Sequence, residues 1–184
     1  MDKFIKIDES LYCYIVDNEE NIQNYLVEDV KWDLIASISD EDICLTESLI
    51  GCESPIEQLL ALSFEKLGIQ NISNFNPFID VLSIEKQYEI QCDKKKYRVD
   101  FYIPVWYKNQ DIEGFVVECD GYEFHQKTKE QVERDNVRTR DLQKAGYTVI
   151  RFSGTEVWHK SYKCAKDVLN LILSKCKYLK GGIE

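Results

Sequence analysis

Residues 97–120, YRVDFYIPVWYKNQDIEGFVVECD, decide the fold. Apolar and polar residues alternate over 97–104 and again over 114–120, the period of two that marks a strand with one face buried. A polar connection at 107–112 separates the two runs. Folded as a simple antiparallel hairpin centred on Asn109, they set Asp100 directly opposite Glu118. Arg98, Asp100, Tyr102, Glu118 and Asp120 then share one face, while Val99, Phe101, Ile103, Phe115, Val117 and Cys119 share the other. One face is core and the other is a site. Opposed carboxylates, with Asp120 diagonal to them, repel unless something compensates, and a divalent cation is the usual compensation. Hard oxygen donors at few positions suit Mg2+, or Mn2+ in its place, which takes phosphate oxygens as its remaining ligands. Such a site polarises a phosphodiester and activates a bound water. The plainer alternative is a solvated strand face whose acids are partly neutralised by Arg98.

Outward from this hairpin, a third strand-like segment at 84–91 precedes it and a strand at 147–152 follows a charged helix over 127–145 that stops at Gly146. Upstream, Ser54-Pro55-Ile56-Glu57 reads as a helix start, with an N-cap serine, proline at the first position and glutamate completing a capping box. Ile56, Leu59, Leu60, Phe64 and Leu67 continue that helix at helical spacing to Gly68. Residues 155–176 form a closing amphipathic helix. Residues 1–50 hold a short β-prone stretch at 11–16 and a helix at 22–38, to which no chemistry attaches. The expected fold is therefore α/β, a mixed sheet in α-β-β-β-α-β order with a C-terminal helix.

Composition fits one globular domain with a real core. Of the net charge of −10, all resides in residues 1–50, where three bases face thirteen acids; the remaining twenty bases and twenty acids cancel. An acidic extension, 1–50, thus precedes a neutral domain, 51–184, which can bind a polyanion if its bases cluster. The extension itself is suited to engage a basic protein partner. No apolar run reaches membrane-spanning length, and MDKFIKIDES lacks the basic-then-apolar order of a secretory signal. Seven scattered cysteines without a C-x-x-C pair favour reduced thiols in a cytoplasmic protein over disulfides or a zinc ribbon.

Taken in order, Val99-Asp100-Phe101, Val117-Glu118-Cys119-Asp120-Gly121, His125, Arg134-Asp135, Arg138 and Gly146 with Val149-Ile150-Arg151-Phe152 form a longer pattern. It resembles the Vsr-like branch of the PD-(D/E)XK nuclease superfamily, the group that includes very-short-patch repair endonucleases, over roughly residues 53–158. The resemblance implies a restriction-endonuclease-like core and an Mg2+-dependent endonuclease acting on DNA. It also implies metal binding by Asp100, Glu118 and the main-chain carbonyl of Cys119, with Glu57 pointing into the site. One departure stands out: Asp120 occupies the position of the superfamily's usual lysine. Its work must then fall to another group, and His125 and Lys127 are the candidates, His125 also as a general acid or base. Lys127, Lys129, Arg134 and Arg138, on the charged helix, and Arg151, on the following strand, are candidate nucleic-acid contacts. Their plainer reading is a solvated helix face, and for Arg151 a pairing with Asp135. The rival function is a nuclease-fold module that has lost catalysis with the lysine and acts through nucleic-acid or protein contacts.

Overall fold

The computed structural model describes residue 49 and residues 51–93, 95–108, 110–121 and 128–180; the expected N-terminal strand and helix lie outside them. Its elements run α1 (Pro55–Leu67), a 3-10 turn (Ile69–Asn74), β1 (Ile79–Val81), β2 (Glu85–Cys92), β3 (Lys95–Tyr107), β4 (Gln110–Asp120), α2 (Lys129–Lys144), β5 (Thr148–Ser153) and α3 (Gly154–Lys180). They fall into two compact units. The first comprises the described residues up to Gly68 together with Gly154–Asp167, and the second Ile69–Ser153 and the chain from Val168.

In the first unit, Ser54 caps α1, Pro55 opens it, and Gly68 closes it in the left-handed conformation at φ 67°. Leu59, Leu60, Ala61, Leu62 and Phe64 are all buried, as are Gln58 and Ser63. The Ser63 hydroxyl donates to the Leu59 carbonyl (2.7 Å), so its burial leaves no donor stranded. From α3, Val157, Ser161, Cys164 and Ala165 are buried at helical spacing.

The second unit is built on a mixed sheet. β3 pairs antiparallel with β4, and β4 pairs parallel with β5, the return of the chain through α2 making the crossover that parallel strands need. On its other edge β3 carries β2 along Lys95–Tyr102 and β1 along Val105–Tyr107. Against the α-β-β-β-α-β reading the chain has one short strand more, β1, and the mixed α/β architecture is consistent with a restriction-endonuclease-like fold.

The hairpin register agrees with expectation from Phe101↔Val117 to Val105↔Glu113, but Trp106↔Asp111 and Tyr107↔Gln110 run one residue out of step. The turn is tighter than a hairpin centred on Asn109, with Lys108 left-handed at φ 51° as a two-residue loop requires. A bulge at Ile112 restores the register before the site.

The expectation of one core face and one site face also needs correction. Phe101, Ile103, Phe115 and Val117 are indeed sealed, yet Val116 is 0% exposed and Glu118 only 3%. Val116 belongs to a cluster with Ile90, Cys92, Val99 and Leu142 of α2, and Tyr97, Tyr102, Tyr147 and Val149 pack against it, so Val99 sits with residues read as the other face. Tyr97 Oη donates to Asp141 Oδ2 (2.6 Å) and ties α2 to β3.

Candidate active site

Asp100 and Glu118 adjoin Phe101↔Val117, the last ladder pair of β3 and β4, on their adjacent strands, and Glu118 pairs in turn with Arg151 of β5. Asp100 is oriented by the backbone of the neighbouring strand: its Oδ2 accepts the Cys119 amide at 2.6 Å. Cys119 therefore contributes its N–H to this arrangement. Glu118 Oε1 accepts from Arg138 Nη2 of α2 at 2.7 Å, and the same nitrogen donates to the Arg98 carbonyl. Arg138 Nε is buried and finds no hydrogen-bond partner among the described residues.

Burial pushes the Glu118 carboxyl up to about 7; Asp100 and Asp120 add to the rise, while Arg138 and Arg151 oppose it. One guanidinium at 2.7 Å thus falls short of what this buried acid needs. That shortfall, together with an all-oxygen donor set of Asp100 and Glu118, is what a hard divalent cation fits. Among the described residues no group of three or more His, Cys, Asp or Glu could hold a metal ion. The expected set of two carboxylates and a main-chain carbonyl is leaner than such a group.

Asp120, in the lysine position, is held by Arg151, whose Nε donates to Oδ2 at 2.9 Å and whose Nη2 donates to Oδ1. A bidentate fork of this kind fixes both partners. Arg151 also reaches Thr139 Oγ1 of α2 (3.4 Å). Arg151, read from sequence as a nucleic-acid contact or a partner of Asp135, thus makes its direct bonds to Asp120 and Thr139.

Glu57 belongs to the first unit, where its carboxylate accepts from the Glu53 amide (2.9 Å) and the Ser54 hydroxyl (2.6 Å). Its own amide donates to Ser54 Oγ (3.4 Å), so the expected capping box is met by its N-cap half, with the Glu53 amide in place of the N-cap's own. His125 and Lys127 lie outside the described residues. Lys129 and Arg134 are exposed on α2, whereas Arg138, read from sequence as a phosphate contact, is the counterion of Glu118. Nothing local distinguishes Arg138 from its basic neighbours; only the docking of α2 against β3 and β4 selects it.

A carboxylate pair on adjacent strands of a mixed sheet, with cations brought in by the following helix and strand, is consistent with a restriction-endonuclease-like α/β protein. The family model REase_MTES_1575, of a restriction-endonuclease-like family, matches residues 80–172, half of the chain and the whole of this site. The chain belongs to that family. No curated protein and no solved structure matches it. No described helix is long and apolar enough to cross a membrane.

Proposed function

We propose that this chain is an endonuclease that hydrolyses phosphodiester bonds in DNA with Mg2+ or Mn2+ held at Asp100 and Glu118. The observation that carries this reading is a pair of carboxylates on neighbouring strands, one of them buried and only partly neutralised by Arg138. Membership of a restriction-endonuclease-like family supports the nuclease class; the Vsr-like branch, the DNA substrate and a cytoplasmic setting are part of the proposal.

In this scheme Asp100 and Glu118 hold the cation, joined by the Cys119 carbonyl. Bound there, a divalent ion supplies polarisation of the phosphodiester and an activated water. The Cys119 amide keeps Asp100 aligned with β4. Lys127, Lys129 and Arg134 meet phosphates, and His125 serves proton transfer. Arg151 positions Asp120 and closes the ring of charge.

Cleavage of a panel of DNA and RNA substrates with Mg2+, Mn2+ or chelator tests the proposal. Metal-dependent cleavage of DNA supports it, and preference for RNA corrects the substrate. The second reading, a binding module on a nuclease scaffold, draws on the Asp120–Arg151 fork in the lysine's place. It predicts nucleic-acid binding with no cleavage in the parent and a gain of metal-dependent cleavage in Asp120→Lys.

A further inference from the structure

On the sheet face that carries Asp100, Glu118 and Arg151, the next row along the strands is Tyr102, Val116 and Val149. Tyr102 and Tyr147 meet edge to face, with ring centres 5.9 Å apart. Gly114 makes room for them: a Cβ there would collide with Cε2 of Tyr102 and stand 2.9 Å from Cδ1 of Tyr147. Tyr88 of β2 completes the group, its ring stacked on Tyr102 at 4.7 Å and 22°.

Tyr88 pairs in the ladder with Val99, a member of the buried cluster against which Tyr102 packs. Gln87, between the regular pairs Lys86↔Phe101 and Tyr88↔Val99, is left-handed at φ 50°, a conformation that costs strain in any residue with a Cβ. Beside it Tyr88 remains 41% exposed, so the stack presents an aromatic face to solvent.

We propose that the Tyr88–Tyr102 stack is a subsite for one unpaired nucleobase, so that the substrate at this site is single-stranded or locally opened nucleic acid. The inference rests on the nuclease reading and deepens it. Two strand residues, about 7 Å, separate Asp100 from Tyr102, so a base on the stack belongs to a nucleotide at or next to the phosphate held at the carboxylates. An aromatic face accepts any base, and a base paired within a duplex has its own neighbours to stack on.

The test measures binding in chelator, which separates recognition from cleavage. The probes are a labelled single-stranded oligonucleotide in DNA and RNA forms, the corresponding duplex, and a base-less strand of equal phosphate count. Wild type is expected to prefer the base-bearing single strand over both others. Tyr88→Ala should lose about tenfold or more on that strand alone, and Tyr88→Trp should retain binding. Since Tyr88 is exposed, Ala is tolerated by the fold, and a thermal melt verifies it. Equal binding by Tyr88→Ala and wild type, or an equal loss on base-less strand and duplex, overturns the subsite while leaving the nuclease reading intact. Failure of wild type to bind any of the probes overturns both.

Discussion

Glu118 is the residue on which most of the site's energetics turns, because its carboxylate is buried beside Asp100 with one guanidinium in contact. Its pKa is raised on folding, so its contribution to stability is present below the ordinary carboxylate value and is lost as pH rises to about 7. Metal-free protein should therefore lose on the order of 3 kcal/mol from this group across that window. Glu118→Gln, nearly isosteric and uncharged, should flatten the decline and melt higher than the parent at pH 8 in chelator. A parent and mutant with parallel stability profiles would show that Glu118 is not strained. Both Glu118→Gln and Asp100→Asn should abolish any metal-dependent cleavage without unfolding the chain. Arg138 gives the complementary case. Arg138→Gln leaves a buried acid with less counter-charge, at a cost of about 3–5 kcal/mol in chelator. The double mutant with Glu118→Gln should recover most of it, which a double-mutant cycle on urea midpoints reads directly. Calorimetry should show Arg138→Gln binding Mn2+ more tightly than the parent, since a competing cation is gone; weaker binding would mean that Arg138 organises the ligands.

Between residue and fold, the bulge in β4 lets a tighter turn keep the register on which the site is built. From Glu113 to Val117 the strand runs in one register with β3; the tip of the hairpin runs one residue out of step. Removing the extra residue, Ile112, sets Glu113 directly after Asp111, so the tip register runs on into Val105↔Glu113 and Glu118 keeps its place and its face. An Ile112 deletion is accordingly expected to keep the parental metal affinity by calorimetry. A deletion variant that has lost metal affinity would show that the bulge itself, and not the register alone, aims the carboxylates. This level also shows what sequence could reveal. Alternation over 97–104 and 114–120, and the capping signals around Ser54 and Gly68, are local, and they placed β3, β4 and α1 correctly. The bulge, the three-residue β1 and the left-handed Gln87 carry no Gly, Pro or Asn mark at the position concerned, so composition could not announce them. That Asp100 and Glu118 come together on adjacent strands was legible, because it follows from the hairpin. Arg138 on Glu118 was not, because it depends on how an entire helix docks.

At the scale of the whole chain the dominant fact is the segregation of charge, with thirteen acids and three bases in residues 1–50 and balance thereafter. Placed near a phosphate-binding surface, such a segment repels a polyanion over roughly a Debye length, about 10 Å at 0.1 M salt. We therefore expect it to restrain or direct nucleic-acid binding and not to supply grip. Where to cut follows from burial and not from composition: Leu49 is helical and 1% exposed, and its carbonyl accepts the Cys52 amide at 3.2 Å. A truncation through residue 50 would remove a core side chain, so the informative variant begins at residue 49. With its fold verified by circular dichroism, this variant should bind a DNA oligonucleotide more tightly than the full chain at 50 mM salt. The difference should close as salt rises to about 0.5 M, because screening removes repulsion that the truncation has already removed. Weaker binding by a folded truncation would mean that the segment contributes contacts of its own. Insolubility of a variant that keeps Leu49 would place residues 1–48 within the fold, and the acidic segment would then be a structural part of the chain that happens to carry its charge.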